Sequence, residues 1–314
     1  MRFNVKTRRY QHRAGLYVAL LLSLTFTVAA AAETPVQPLP ASCAALLWQP
    51  SMNVFRRYAA PAEKMFQFYG DVLGLKRLPG IKLGKGAQLV LFQVGTSQLK
   101  FTGRVPDRSY VPGGVRAATG LRLITLVFRD EAGLRDRFQQ YGYPLPDFKT
   151  YPGSDDSIAL VQDADGQWLE LVVNGKATEQ RLATIEVGLT VSDLEKSRAF
   201  YRDFVGLEEL PPVHDPVFDT MKYPYRHGTT MISLRSFGAK LPADTGSAGI
   251  QYVVSDVDSV NALAQARHLS FEQALRSLPG FSLRTVWLND PDGITNYFAE
   301  TAYSRHKSAP APGQ

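Results

Sequence analysis

Gln67-Phe68-Tyr69-Gly70-Asp71-Val72-Leu73-Gly74-Leu75 returns 132 residues later as Ala199-Phe200-Tyr201-Arg202-Asp203-Phe204-Val205-Gly206-Leu207. A second word behaves the same way: Asp163-Ala164-Asp165-Gly166 reappears 127 residues on as Asp290-Pro291-Asp292-Gly293. Two anchors at nearly equal spacing mean a duplicated chain, and a period of this size governs how every local motif is read.

Around these words the chain falls into four stretches with one plan: a short strand, an amphipathic helix, then further strands. The third is the clearest. Thr184 to Val191 alternates as a strand does. Ser192-Asp193-Leu194-Glu195 follows as a capping box, with Ser192 the expected cap. Phe200, Tyr201, Phe204 and Val205 then fall at helical spacing as one apolar stripe, and Gly206 stops the helix. In the first stretch Phe55 to Ala59 is the strand, Pro61 opens the helix, and Phe68, Tyr69, Val72 and Leu73 repeat the stripe. The second stretch has a strand over Leu121 to Phe128, a helix over Glu131 to Tyr141 and a hairpin across the Asp163–Gly166 turn. The fourth has Ile250 to Val254, a helix from Val257 to His268 and a hairpin across Asp290–Gly293. The fold class is therefore α+β, and the duplication divides residues 48–174 from 183–302, each half holding two units.

The flanks read differently. Residues 1–32 carry Arg2, Lys6, Arg8, Arg9 and Arg13 and no acid, followed by an apolar run ending in small residues, the pattern of a secretory signal peptide. Export to the periplasm or the medium is the expectation. Residues 33–47, rich in Pro and Ala, are expected to be a flexible lead-in, and 303–314 a disordered tail. Without the first 32 residues the chain has 30 bases against 29 acids, so all but one unit of its +6 charge belongs to the leader and no nucleic-acid partner is indicated. No membrane span remains after the signal. Hydrophobic residues make up 45% of the chain, enough to bury a core, and the one cysteine leaves that core without an internal disulfide.

Four strand–helix–strands units bearing these words resemble the vicinal-oxygen-chelate superfamily, which includes glyoxalase I, bleomycin-resistance proteins, fosfomycin-resistance enzymes and extradiol dioxygenases. The resemblance rests on Val187 to Tyr201, Phe204-Val205-Gly206-Leu207, and the hairpins Asp163 to Glu170 and Asp290 to Tyr297. It spans roughly residues 50–302. It implies βαβββ modules, paired so that their sheets form two cup-shaped domains that receive a small molecule and, in many members, a divalent metal. It leaves the pairing open: first with second and third with fourth, as in extradiol dioxygenases, or second with third, as in fused glyoxalases.

Metal-using members take ligands from the first strand of a module and from the strand after the Asp-x-Asp-Gly turn. Counted back seven residues from each helix start, those first-strand positions hold Val54, Leu123, Glu186 and Gly249. Four residues past each turn glycine stand Glu170 and Tyr297. Glu170 and Glu186 are thus the candidate metal ligands or acid/base pair, and Tyr297 a candidate hydrogen-bond donor to substrate. Carboxylates suit hard cations, but no histidine falls at an expected position. The insertion Pro211 to Gly228 occupies the place of a loop over the cup and offers Tyr225, Arg226 and His227 as substrate-binding candidates. The resemblance supports two readings: a glyoxalase-like lyase or isomerase or ring-cleaving dioxygenase, and a metal-free binding protein of the bleomycin-resistance type. A homodimer is compatible with either.

Overall fold

The computed structural model describes residues 39–84, 87–238 and 240–305. The signal peptide expected over 1–32 lies outside them, as does the tail from residue 306 onward. Within them the four expected modules appear in order. Each opens with a strand (Asn53–Tyr58, Gly120–Phe128, Ile185–Thr190, Ala248–Val253) that leads into a helix. Each closes with a strand that returns beside the opener in parallel: Ser97–Gly103, Trp168–Val173, Thr230–Arg235 and Thr295–Thr301.

The repeated words have a shared local form. In the first and third modules the α-helix (Ala62–Gln67, Leu194–Arg198) widens into a π-helical turn over Phe68–Val72 and Ala199–Phe204. Gly74 and Gly206 then end it at positive φ, 73° and 84°, where a Cβ would be strained. The cap of the third helix is Asp193, which accepts from the Lys196 amide at 3.1 Å, and not the expected Ser192. Ser192 is instead held from outside: its amide donates to Asp292.

That contact belongs to a pattern. Tyr69 donates its hydroxyl to Asp163 at 2.9 Å and Tyr201 donates to Asp290 at 2.8 Å. The second acid of each turn binds the chain entering the helix, Asp165 on the amides of Ala59 and Ala60, Asp292 on that of Ser192. The Phe-Tyr word and the Asp-x-Asp-Gly word are therefore two halves of one clasp, joining first module to second and third to fourth. Asp163, Asp290 and both tyrosines are buried, where such bonds matter because an unmatched polar group is costly.

The sheets join the modules differently. One eight-stranded sheet combines the first module with the fourth, its two openers antiparallel, Asn53 against Gln251 and Phe55 against Gly249. A nine-stranded sheet combines the second with the third, Gly120–Phe128 antiparallel to Ile185–Thr190. Of the pairings left open by sequence, the second-with-third arrangement is the one present. The halves 48–174 and 183–302 consequently do not each own a sheet; each contributes one module to both.

The segment expected to be a flexible lead-in is ordered from residue 39. Cys43 and Leu47 are buried; the Cys43 amide bonds the Phe204 carbonyl, and Leu47 bridges Val254. Apolar side chains at those two positions found core to fill, which a Pro- and Ala-rich composition does not reveal. Ser304 likewise is buried, bonding the Val254 carbonyl at 2.7 Å. Among the described residues no helix is long and apolar enough to cross a membrane.

Candidate functional site

At the middle of the nine-stranded sheet the two openers lie between their closers. Residues in register on neighbouring strands present their side chains to the same face. Thr125 is in register with both Glu170 and Glu186, and Met231 with Glu186, so these four share one face. A cavity of about 520 Å³ stands against it, lined also by Lys222, Arg181, loop residues 151–154 and the segment 213–217. The two carboxylates singled out by sequence are thus brought together, each about 5% exposed.

Their neighbours give them different states. Lys222 puts its ammonium on Glu186, Nζ to Oε1 3.0 Å and to Oε2 3.3 Å. Burial pushes the Glu186 carboxyl up, but Lys222, then the Ser233 hydroxyl, then Arg235 more than offset this and hold it below the usual carboxylate range. Lys222 gains in return: burial draws its ammonium down, yet Glu186 and Glu170 lift it above an ordinary lysine. Glu170 has no cation of its own. Its hydrogen-bond partner is the Thr125 hydroxyl at 2.8 Å. Burial, then the Glu186 charge, push its carboxyl up to about 7. A second ion pair backs the wall: Arg235, 1% exposed, binds Asp215 through Nε and Nη2 at 2.9 and 2.6 Å. Lys222 and Arg235 each sit on a carboxylate, whereas Glu170 is left without a cation among the described residues; burial first, and then the Glu186 charge, favour its neutral form.

The set does not fit a divalent metal. Leu123 and Met231 bring no oxygen or nitrogen donor to this face, Thr125 brings a hydroxyl, and Glu186 is already bound to an ammonium. A hard ion needs several oxygen ligands free of a competing cation. The described residues hold one group of three acids, Asp256, Asp258 and Glu300, close enough to share an ion. It has structural employment: Asp256 caps a helix, Asp258 pairs with Arg284, and Glu300 with Arg305.

The other predicted residues lie elsewhere. Pro211 to Gly228 forms β-structure, Val213–Asp215 pairing with Thr220–His227, and its residues 213–217 and Lys222 line the cavity, whereas its three named candidates point elsewhere. Tyr225 is buried on its core side and donates to Glu209; Arg226, at the exposed edge, pairs with Glu208; His227 bonds the Gln49 carbonyl at 2.6 Å, and burial lowers its pKa. None of the three lines the cavity. Tyr297 belongs to the other sheet, where Arg57 donates to its hydroxyl. Val54, reached by counting back from Pro61, points into the core; the register puts Asn53 and Phe55 on the opposite face. Lys222 was missed by sequence. Its signal lies in the alternation of the same segment: Tyr223 and Tyr225 are in register with Leu234 and Ile232 on the core side, so Lys222 falls on the opposite face, that of Met231 and Glu186.

Comparison with known proteins agrees with this fold. The sequence model of the Glyoxalase/Bleomycin resistance protein/Dioxygenase superfamily matches residues 52–171 and again 182–298, and the chain belongs to that superfamily. Its fold is similar to that of glyoxalase I from Zea mays (TM-score 0.63, 18% identity, 81% of this chain and 92% of that one). A variant of the same maize enzyme gives TM-score 0.65 at 19% identity, with the same shares covered. A putative dioxygenase from Bacillus subtilis gives TM-score 0.57 at 16% identity, covering 82% of this chain and 86% of that one. No curated protein sequence matches the chain.

Proposed function

We propose that the cavity on the nine-stranded sheet receives a small organic molecule, and that Lys222 supplies there the positive charge that metal-using superfamily members take from a divalent ion. The observation that carries this reading is the Lys222 ammonium seated on Glu186 inside a cavity large enough for a ligand. Lys222 offers a donor to a carbonyl or carboxylate oxygen, and Val127, Ile158 and Val172 give apolar contact. In its protonated form Glu170 adds a second donor. The test is calorimetric titration of the purified protein with Mn²⁺, Ni²⁺ and Zn²⁺, alongside Lys222→Met. The wild type is expected to bind none of them stoichiometrically, and the variant to gain affinity. One tightly bound equivalent in the wild type would refute the reading.

A second reading, catalysis, is favoured by Glu170 alone. A carboxyl near 7 beside a fixed cation is suited to move a proton at a carbon next to a carbonyl held by Lys222. If so, exchange of such protons with D₂O in a small hydroxyketone probe is accelerated by the protein and abolished in Glu170→Gln. Acceleration that survives the substitution excludes Glu170 as the base. We further read residues 1–32 as an export signal, which places the protein in the periplasm or outside the cell; cell fractionation with sequencing of the mature N-terminus tests this.

A further inference from the structure

The corresponding face of the eight-stranded sheet has the opposite electrostatic character. There, Phe55 is in register with Lys100 on its own closer and with Gly249 across the openers; Gln251 is likewise in register with Tyr297 and with Asn53. Thr125 stands in this same relation to Glu170 and Glu186. Whichever way the two faces are superposed, the carboxylate places are taken by Lys100 and Gly249 or by Tyr297 and Asn53.

Among the described residues Lys100 has no acid for a partner. Its ammonium donates to Gln251 Oε1 at 2.7 Å, an oxygen that also accepts from Asn53 at 3.2 Å, and lies 5.4 Å from the centroid of the Phe55 ring. Burial with no compensating carboxylate draws it down to about 8. Arg57, buried, is spent on the Gly246 carbonyl and the Tyr297 hydroxyl. The nearby acid, Glu272, is engaged by Arg108 and Thr295. Beside these cations stands an aromatic wall: Tyr297 packs on Phe55 at 4.8 Å and on Trp287 at 5.0 Å between centroids. Phe55, Lys100 and Trp287 are only half-buried, so the group is open to solvent. Gly249 serves this wall, because a Cβ there would lie 2.7 Å from the Tyr297 ring.

We infer that this face is a second ligand site, for an aromatic carboxylate whose anionic end is taken by Lys100 and whose ring rests on Phe55, Tyr297 and Trp287. A desolvated lysine bonded to one amide oxygen has donor capacity left, and an arriving carboxylate would supply the counter-charge the fold omits. The flanking rings offer the edge and face contacts that aromatic ligands prefer. The site does not depend on what the Lys222 cavity binds.

Benzoate is the probe, followed by tryptophan fluorescence of the full chain, with Trp287→Phe to assign the signal among the three tryptophans. Saturable quenching by benzoate is expected, lost with Trp287→Phe and weakened at least about tenfold in Lys100→Met, the scale of one charge-assisted hydrogen bond. Lys100→Arg should keep most of the affinity, and uncharged benzamide should bind at least about tenfold more weakly than benzoate, for the same reason. Lys222→Met and Glu170→Gln should leave benzoate binding unchanged, which separates this site from the cavity on the other sheet. Absence of saturable binding, wild-type affinity retained in both Lys100→Met and Lys100→Gln (both with native circular dichroism), or loss of binding in Lys222→Met would each overturn the assignment.

Discussion

Replacing Glu170 by glutamine should stabilise the protein, and should do so more as the pH rises. The reason is the carboxyl's displacement from its ordinary 4.5 to about 7. In the unfolded chain Glu170 ionises near 4.5, whereas the folded protein resists ionisation until pH 7. Between those values the unfolded state is progressively favoured; above 7 the penalty is constant, and below 4.5 it vanishes. At about 1.4 kcal/mol for each pH unit, the full effect is about 3 kcal/mol, of which about three quarters develops between pH 5 and 8. Glutamine preserves the shape and still accepts from Thr125, but cannot ionise. Urea unfolding of both proteins at half-unit intervals from pH 5 to 8.5 measures the difference. It should widen up to about pH 7 and then level off. Parallel stability curves, or a gap that opens towards acid pH, would refute the account of Glu170 as the uncompensated acid.

Asp215→Asn should destabilise by about 3–5 kcal/mol, read from the urea midpoint, because it strands the buried Arg235 guanidinium. Gly249→Ala drives a methyl into the Tyr297 ring and the Thr295 carbonyl, 2.7 and 2.8 Å away; a loss of about 1–3 kcal/mol is expected, with altered near-ultraviolet dichroism from Trp287 and Tyr297. Cys43, whose thiol burial pushes up to about 12, should react with a disulfide reagent at pH 8 only as fast as the protein opens. Labelling as fast as a free thiol would show that residues 39–47 do not stay packed.

The module plan was legible because its signals are local: apolar stripes, helix-stopping glycines and turn acids recur within short windows. The clasp between Tyr69 and Asp163 was written in the sequence as two separate words, and only the fold shows that they touch. Module pairing was not legible, since the hydrophobic alternation of Gly120–Phe128 is satisfied by any antiparallel neighbour. At the site, the offset from the turn located Glu170, and the offset from the helix located Glu186. The same count missed Asn53 by one residue, which in a strand reverses the face. Lys222 escaped because alternation gives only the face it occupies; its importance comes from an acid 36 residues away in sequence, which only the fold brings to it.

The pairing of the outermost modules has a consequence for how the chain acquires its structure. Asn53 meets Gln251 across nearly two hundred residues, so during synthesis the opening strand waits for the last quarter of the polypeptide to emerge. Contacts so distant in sequence form slowly, and an unpaired edge exposed meanwhile invites aggregation. A ribosome-stalled product ending near residue 240 is therefore expected to carry one complete sheet and one orphaned half-sheet, and to be a substrate for chaperones until the remainder arrives.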